Sequence, residues 1–208
     1  MTIAVIDYGS GNLHSAAAAL RRVAGEEEVL VTSTAKDLLS ASHIVLPGVG
    51  AFGDCLQGVN ALPGMREMLE KRVRETGVPF LGICVGMQLM LETGHEHGVH
   101  KGFGWIKGDV NPIQPNDPSL KIPHMGWNEL TVRAQNAATT GLLPEDHAYF
   151  VHSYHAVCKN ADDVIATVDY GGPLTAMIKH DNMLGTQFHP EKSHVTGEKI
   201  LRNFLALH

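Results

Sequence analysis

The residues of this chain best suited to chemistry are a cysteine set between glycines and a histidine followed two positions later by a glutamate. Residues 82–86 read Gly-Ile-Cys-Val-Gly, after an apolar run and before a helical pattern over residues 87–91. Small residues two before and two after a central residue mark a tight strand-to-helix turn that exposes a nucleophile. Cys84 is the candidate nucleophile, because N–H groups at a helix start favour the thiolate. The N–H of Val85 is placed to stabilise an oxyanion.

The second candidate motif lies near the C-terminus, where residues 185–193 read Gly-Thr-Gln-Phe-His-Pro-Glu-Lys-Ser. A residue before proline is pushed towards extended chain, in which residues i and i+2 project to the same side. We therefore expect Glu191 to contact one imidazole nitrogen of His189 and to leave the other nitrogen for a thiol. Each motif alone is compatible with a structural role. Together they predict a cysteine nucleophile with a histidine base and an orienting carboxylate.

Composition indicates one globular domain and argues against several classes of function. The 208 residues are 44% hydrophobic, which is enough for a core without staples. Sixteen basic and 22 acidic residues give a net charge of −6, which disfavours nucleic acid or an anionic membrane as partner. The cysteines Cys55, Cys84 and Cys158 are widely spaced without a C-x-x-C pair, which disfavours disulfides and zinc, so Cys55 and Cys158 are interpreted as structural. No signal or membrane-spanning pattern is found, and a cytoplasmic location is expected.

Alternating strand and helix patterns in the first half predict the sheet that positions these motifs. Strands are expected at residues 3–6, 28–32, 43–46 and 78–83, and helices at residues 13–23 and 62–75. This alternation predicts an α/β fold with a mostly parallel sheet and helices on both faces. Sites of such sheets gather at the carboxyl ends of the strands, where turns at Gly9, Gly48 and Cys84 would meet.

The second half is predicted to add short antiparallel strands to the same body. They are expected at residues 127–132, 148–151, 155–157, 164–168, 175–178 and 183–188. Residues 169–172 and 180–182 have the composition of hairpin turns, and residues 195–207 are expected to form a closing helix. Residues 112–118 are the most loop-like segment. No repeat or linker divides the chain, so residues 1–208 are predicted to form a single domain.

Four further motifs complete a resemblance to a known family. Residues 7–13 read Asp-Tyr-Gly-Ser-Gly-Asn-Leu, 46–53 Leu-Pro-Gly-Val-Gly-Ala-Phe-Gly, 123–128 Pro-His-Met-Gly-Trp-Asn and 149–154 Tyr-Phe-Val-His-Ser-Tyr. With the two motifs above, the chain resembles class I, triad-type glutamine amidotransferases, which have a flavodoxin-like sheet. Within that class it resembles the glutaminase subunits of imidazole glycerol phosphate synthases, and this narrower resemblance rests on the four motifs. Ser10 and Val85 stand at positions that vary in the family pattern.

The resemblance implies hydrolysis of glutamine to glutamate and ammonia, without a metal or organic cofactor. Ammonia would pass to a separate cyclase subunit, a (β/α)8 barrel that forms a heterodimer with this chain. The products there would be imidazole glycerol phosphate and aminoimidazole carboxamide ribotide, in histidine biosynthesis. Cys84 would attack the amide carbon, His189 would transfer protons, and Glu191 would orient His189.

The remaining site roles are also implied by the resemblance. Backbone amides of Val85 and of the glycine-flanked Val49–Gly50 segment would form the oxyanion hole, with Val49 reorienting on activation. Gly50 and Gln88 match glutamine-binding positions. The residues expected at the partner interface are Asn12, Met125, Trp127, Tyr149 and Lys192.

Other interpretations stay open at this stage. Another class I amidotransferase, such as the glutaminase of pyridoxal-phosphate synthase or anthranilate synthase, fits the motifs at residues 7–12 and 123–128 less well. A scaffold or sensor without activity would not need the intact Cys84, His189 and Glu191. A general cysteine peptidase is less favoured, because nothing in the sequence suggests an extended peptide cleft. His95, His97 and His100 lie in a glycine-rich loop without a paired ligand and are interpreted as solvated.

Overall fold

A computed structural model describes residues 1–9 and 12–207. Ser10 and Gly11, which belong to the predicted turn after the first strand, and His208 lie outside the described residues. The helices are α1 (Leu13–Ala24), α2 (Phe52–Ala61), α3 (Met65–Leu69), α4 (Val85–Gln88) and α5 (His194–Leu205). The strands are β1 (Thr2–Ile6), β2 (Glu28–Thr32), β3 (His43–Gly48), β4 (Phe80–Cys84), β5 (Leu91–Gly94), β6 (His100–Lys101), β7 (Ile106–Pro112), β8 (His124–Glu129), β9 (Thr131–Val132), β10 (His147–His152), β11 (Tyr154–Cys158), β12 (Val164–Asp169), β13 (Pro173–His180) and β14 (Met183–Thr186).

The main sheet has the order β2-β1-β3-β4-β14-β13-β12-β9 within the described residues. The first five of these strands run parallel, and the last three continue the sheet in antiparallel. Every residue of β3 and β4 is buried, because helices cover a parallel sheet and its central strands must be apolar on both faces. The predicted α/β class and mostly parallel sheet are confirmed.

Helices flank this sheet and join the two ends of the chain. Helix α5 packs against α1, and Arg22 of α1 lies 3.7 Å from Glu198 of α5. The ring of His43 at the start of β3 contacts the Leu207 carbonyl at 3.2 Å. Helix α2 contacts α3 and α4. Helix α5 and the residues after it therefore pack against α1 and β3 of the first half of the chain.

The antiparallel strands of the second half divide among three sheets. Strands β9, β12 and β13 extend the main sheet, β8 pairs with β10 in a two-stranded ribbon, and β11-β7-β5-β6 form a four-stranded sheet. The predicted turns at residues 169–172 and 180–182 connect antiparallel neighbours, as expected. The ribbon carries the motifs at residues 123–128 and 149–154 on paired strands, with His152 opposite His124.

Several predicted boundaries are wrong, and long-range hydrogen bonds explain the largest error. The helix expected over residues 87–91 ends at Gln88, because carbonyls of residues 89–91 accept from backbone N–H groups of residues 103–106. The helix expected at residues 62–75 begins at Met65 and ends in a π-helical turn, Glu70–Glu75. The strand expected at residues 127–132 is broken at Leu130. The elements α2, β5, β6 and β7 were not predicted. In the described part of the chain, no helix has the length and hydropathy to cross a membrane.

Candidate active site

The turn between β4 and α4 has the geometry predicted for a nucleophile elbow. Cys84 adopts φ +55° and ψ −113°, in the left-handed region that residues with a β-carbon rarely enter. A β-carbon on Gly86 would lie 1.9 Å from the Leu46 carbonyl oxygen, and one on Gly82 would lie 2.6 Å from the Gly86 oxygen. Both glycines are therefore required by close backbone approach, and the turn aims Cys84 away from the sheet.

His189 and Glu191 meet beside this elbow. Nδ1 of His189 lies 2.7 Å from Oε1 of Glu191, and the two side chains are 2% and 1% exposed. The predicted contact is confirmed, but not by the expected route. Pro190 begins a short 3₁₀ turn, Pro190–Lys192, so the carboxylate folds back onto the imidazole instead of following it along extended chain.

Asn12 occupies a position that the sequence did not predict. Its side-chain amide Nδ2 donates a hydrogen bond to Oε1 of Glu191, the same oxygen that contacts His189. The other carboxylate oxygen, Oε2, is buried without a hydrogen-bond partner among residues 1–9 and 12–207. Asn12 was expected at a partner interface; the structure brings its side chain to the buried Glu191 carboxylate.

The pKa of His189 is raised to about 10 by its neighbours. Burial alone would lower this pKa, but hydrogen bonds with Cys84 and Glu191, together with their electrostatic attraction, outweigh the desolvation. The His189 ring therefore carries a hydrogen on both nitrogens at neutral pH, and its Nδ1 stays on the Glu191 carboxylate. Cys84, His189 and Glu191 thus form one hydrogen-bonded group at the carboxyl end of β4.

A cavity of about 300 Å³ opens beside this group. It is lined by the predicted residues Val49, Gly50, Cys84, Val85, Gln88 and His189. Sequence reasoning missed the other lining residues, which are Glu96, Pro123, Val151, His152, Ser153 and Tyr154. For all of these except Glu96, the motifs at residues 123–128 and 149–154 were the only signal, and the residues of those motifs given a role, Met125, Trp127 and Tyr149, were expected at the partner interface.

Gln88 has an orientation that its partners determine. Its Nε2 donates to the Tyr154 carbonyl at 3.1 Å and to Oε1 of Gln187 at 3.0 Å. The Gln187 amide in turn donates to the Cys84 sulfur at 3.7 Å. Because both amide hydrogens of Gln88 are used, Oε1 is the atom it can offer to a ligand in the cavity.

The glycine-flanked segment after β3 borders the same cavity. Gly50 has φ +96°, a conformation that favours glycine. The Val49 carbonyl accepts a hydrogen bond from the Cys55 thiol of α2 at 3.3 Å. Cys55 is thus buried and hydrogen-bonded within the fold, which agrees with its interpretation as structural. Cys158 is partly buried, and burial, together with Asp163, raises its pKa to about 12, which makes it a poor nucleophile.

Glu96 joins the cavity to the loop that contains His95, His97 and His100. Its Oε2 accepts from the Phe52 N–H at the start of α2 at 2.8 Å, and its carbonyl contacts His100 Nε2 at 3.1 Å. His95 and His97 are exposed, as predicted. Within the described ranges, no three His, Cys, Asp or Glu side chains are placed to hold a metal ion. The hydrogen bond from Phe52 holds the Glu96 carboxylate at the cavity wall.

An exposed aromatic surface lies on the outer side of this site. Met125 and Trp127 of β8 are 61% and 49% exposed. Trp127 packs edge-on against Tyr149 of β10 at 5.9 Å, and Lys192 Nζ lies 5.7 Å from the centre of the Tyr149 ring. The predicted residues Met125, Trp127, Tyr149 and Lys192, called here the aromatic surface, are thus neighbours. The Tyr149 carbonyl also accepts from the backbone N–H of His189 at 3.0 Å.

Comparisons with known proteins agree with this geometry. Residues 4–207 match the family described as glutamine amidotransferase class-I. The chain is 51% identical over 210 residues to imidazole glycerol phosphate synthase subunit HisH of Rhodospirillum rubrum, covering 99% of this chain and 98% of the relative. It is 52% identical over 212 residues to the protein of the same name from Brucella suis biovar 1, with the same coverage.

Solved structures share the fold at low sequence identity. A structure described as a glutamine amidotransferase superposes with a TM-score of 0.73 at 18% identity, covering 98% of this chain and 96% of that chain. The PurLQS structure from Thermotoga maritima gives a TM-score of 0.73 at 20% identity, covering 98% and 97%. These similarities place the main sheet and its helices in one known architecture.

Proposed function

This chain belongs to the class-I glutamine amidotransferase family, and we propose that it is the glutaminase subunit of an imidazole glycerol phosphate synthase. It hydrolyses glutamine to glutamate and ammonia and delivers the ammonia to a cyclase subunit for histidine biosynthesis. The observation that carries the proposal is the meeting of Cys84, His189 and Glu191 at a cavity behind a tight elbow. The full-length identity to HisH proteins supports the choice of pathway.

The raised pKa of His189 sets the order of proton transfers. At neutral pH the imidazolium pairs with the Cys84 sulfur, which attacks the side-chain amide carbon of glutamine. His189 then gives its proton to the departing ammonia, and a glutamyl thioester remains on Cys84. The acylated sulfur no longer supports the imidazolium, so the pKa of His189 falls. The imidazole can then take a proton from water, which attacks the thioester and releases glutamate.

Backbone amides supply the proposed oxyanion hole. The Val85 N–H stands at the first residue after the elbow, and Val49 and Gly50 line the cavity from β3. Val49 is proposed to turn its N–H towards the oxyanion on activation, for which the flanking glycines give freedom. The tetrahedral oxygen would then be held from both sides of the elbow.

The cavity offers groups suited to the amino-acid end of glutamine. Glu96 is an acidic side chain at the wall and can pair with the α-ammonium. Gln88 can accept through Oε1, and Gly50 allows close approach of backbone to substrate. Three different elements of the chain would therefore fix one end of the ligand while the amide faces Cys84.

The cyclase subunit is proposed to dock on the aromatic surface. Exposed aromatic and methionine side chains, such as Trp127 and Met125, are typical of protein interfaces. Because Tyr149 is hydrogen-bonded through its backbone to His189, a partner bound there lies next to the reacting group. Residues 1–208 are proposed to act as one domain, which the packing of α5 on α1 supports.

The direct test measures glutamate release by the full chain, alone and with the cyclase subunit and its nucleotide ligand. We expect low activity alone, strong stimulation by the loaded cyclase, and a loss of at least about 10³-fold in Cys84→Ala. Cys158→Ala is the matched control, because its thiol lies outside the cavity and should leave turnover unchanged.

Two outcomes would contradict the proposal. Activity that survives Cys84→Ala would remove the cysteine from the mechanism. A folded chain without turnover beside an active cyclase would point to another synthase partner or to a scaffold without activity.

A further inference from the structure

Two buried histidines outside the triad connect the β8–β10 ribbon to the cavity. His124 and His152 face each other in the ribbon and are 2% and 6% exposed. Nδ1 of His124 lies 2.9 Å from Nε2 of His152. His124 also stacks on Phe150 with ring centres 4.8 Å apart. His152 lines the cavity, whereas His124 lies behind it on β8, the strand that carries Met125 and Trp127 of the aromatic surface.

The hydrogen bonds of this pair admit one protonation pattern. Nδ1 of His152 contacts the Tyr154 carbonyl at 2.9 Å, and a carbonyl only accepts, so this nitrogen carries the hydrogen. In a neutral ring Nε2 of His152 must then accept from Nδ1 of His124. Nε2 of His124 remains an acceptor, which suits the Asn128 amide nitrogen 3.2 Å away.

The Asn128 orientation agrees with this pattern independently. Its Oδ1 accepts from the Glu129 N–H at 2.8 Å, and its Nδ2 donates to the Asp169 carbonyl at 2.9 Å. The amide therefore presents a hydrogen, not an oxygen, to His124. All three donations point the same way, from Asn128 at the ribbon towards Tyr154 at the cavity.

The last acceptor of the series is shared with a cavity residue. The Tyr154 carbonyl accepts from His152 and also from Nε2 of Gln88. Gln88 has its second amide hydrogen on Gln187, whose own amide reaches the Cys84 sulfur. The Tyr154 carbonyl and Gln187 together thus determine which atom of Gln88 faces the cavity.

We propose that His124 and His152 are positioning residues that fix the Tyr154 carbonyl and thereby hold Gln88 with Oε1 towards bound glutamine. This inference rests on the proposed glutaminase function and deepens it, because it assigns glutamine binding to residues that touch neither the thiol nor the ammonia. Without the pair, the Tyr154 carbonyl loses one of its two side-chain donors, and the orientation of the Gln88 amide rests mainly on its hydrogen bond to Gln187.

The titration behaviour of the pair is consistent with this role. Burial lowers the pKa of His124 to about 4 and that of His152 to about 3, even though the bond to the Tyr154 carbonyl raises the latter. Both rings are neutral at pH 7, with one hydrogen each, as the series of donations requires. They hold a geometry and do not exchange protons with substrate.

The test compares His124→Leu with His124→Asn in the full chain bound to its cyclase subunit. Leu and Asn have the same branching, but only the Asn amide can replace the Nδ1 donor towards His152. We expect His124→Leu to raise KM for glutamine by about 2- to 10-fold with kcat changed by less than about 2-fold, and His124→Asn to restore KM. His147→Leu, at the exposed far end of β10, is the control and should leave KM unchanged.

A second measurement needs no variant to fold. Nitrogen-15 NMR of the imidazoles in the wild-type full chain should show two neutral histidines with the hydrogen on Nδ1 at pH 7. Finding either ring protonated on Nε2, or an unchanged KM in folded His124→Leu, would overturn the inference. Absence of turnover in the wild-type complex would instead contradict the proposed function, so the two failures are distinguishable.

Discussion

His189 borders the cavity on one side, the His124–His152 pair lies at and behind another side, and the pKa values of the two groups shift in opposite directions. His189 lies against Glu191 and Cys84, and its pKa rises to about 10. His124 and His152 lie against each other, an amide and a carbonyl, and their pKa values fall to about 4 and 3. Burial disfavours the charged imidazole in both places, and only the first group has partners of opposite charge to reverse it.

The opposite pKa shifts distinguish the histidine suited to proton transfer, His189, from the two suited only to holding neighbouring groups, His124 and His152. A charged imidazole within reach of a thiol can move protons during a reaction. A neutral imidazole with fixed donor and acceptor nitrogens can only hold its neighbours in place. The same residue type is therefore proposed to serve reaction beside the parallel strands and orientation at the antiparallel ribbon.

Removing the charge at Glu191 should have the largest effect, because it removes a partner that raises the pKa of His189 above those of His124 and His152. Glu191→Gln keeps the shape but leaves His189 without its carboxylate, so the pKa of His189 should fall and its tautomer should no longer be fixed. We expect glutamine hydrolysis with the cyclase subunit to decrease by about 10²- to 10⁴-fold. Glu198→Gln, at an exposed carboxylate of α5 that pairs with Arg22, is the control. A loss below tenfold would mean that Glu191 has no orienting role.

A smaller effect is expected from Asn12, the second donor to Glu191. Asn12→Ala removes one hydrogen bond to a buried carboxylate, and we expect kcat/KM to fall by about 5- to 20-fold. Asn12→Asp should be worse, because a second carboxylate would repel the first. Measuring affinity for the cyclase subunit in parallel decides between two roles. If Asn12→Ala weakens only this affinity, Asn12 belongs to the interface.

The smallest effect concerns stability at acid pH. Below pH 6.5 the unfolded chain protonates residue 124, whereas the folded chain resists until about pH 4, so the wild type loses stability as the pH falls. His124→Asn does not titrate there. Urea unfolding should therefore show the variant gaining about 1–2 kcal/mol relative to wild type between pH 7 and pH 5. A constant difference would mean that His124 titrates normally in the fold.

His189 should behave in the opposite way over a different interval. Because its folded pKa lies above its unfolded value, its contribution to stability is complete below pH 6.5 and is lost as the pH rises through about 10. The same unfolding series, extended to alkaline pH with His189→Asn, provides the internal comparison. The gap between wild type and that variant should narrow towards pH 10.

Much of the site could be predicted because its signals are local. The elbow needs glycines at fixed offsets from Cys84, and Pro190 brings Glu191 back to His189 within two residues. The apolar strands β1, β3 and β4 likewise predict a buried parallel sheet from local sequence. Such features depend on neighbours in sequence, so a short pattern is enough to find them.

What was missed depends on residues far apart in the chain. His124 and His152 are 28 residues apart, and nothing near either marks it as part of a pair. Glu96 reaches the cavity from a loop without a recognisable pattern. Residues 87–91 have a helical pattern, but the carbonyls of residues 89–91 accept hydrogen bonds from backbone N–H groups of residues 103–106, which the sequence does not reveal. Helix α2 contains Gly53 and Gly58, which lower its intrinsic helix propensity.

The backbone of Cys84 has a consequence for how this protein could lose its activity. A glycine would adopt φ +55° without the steric cost that a β-carbon carries there. At position 84, the substitution of glycine for cysteine would therefore remove the thiol and stabilise the fold at once. Cys84→Gly is expected to abolish the proposed activity while it removes the steric cost of the turn.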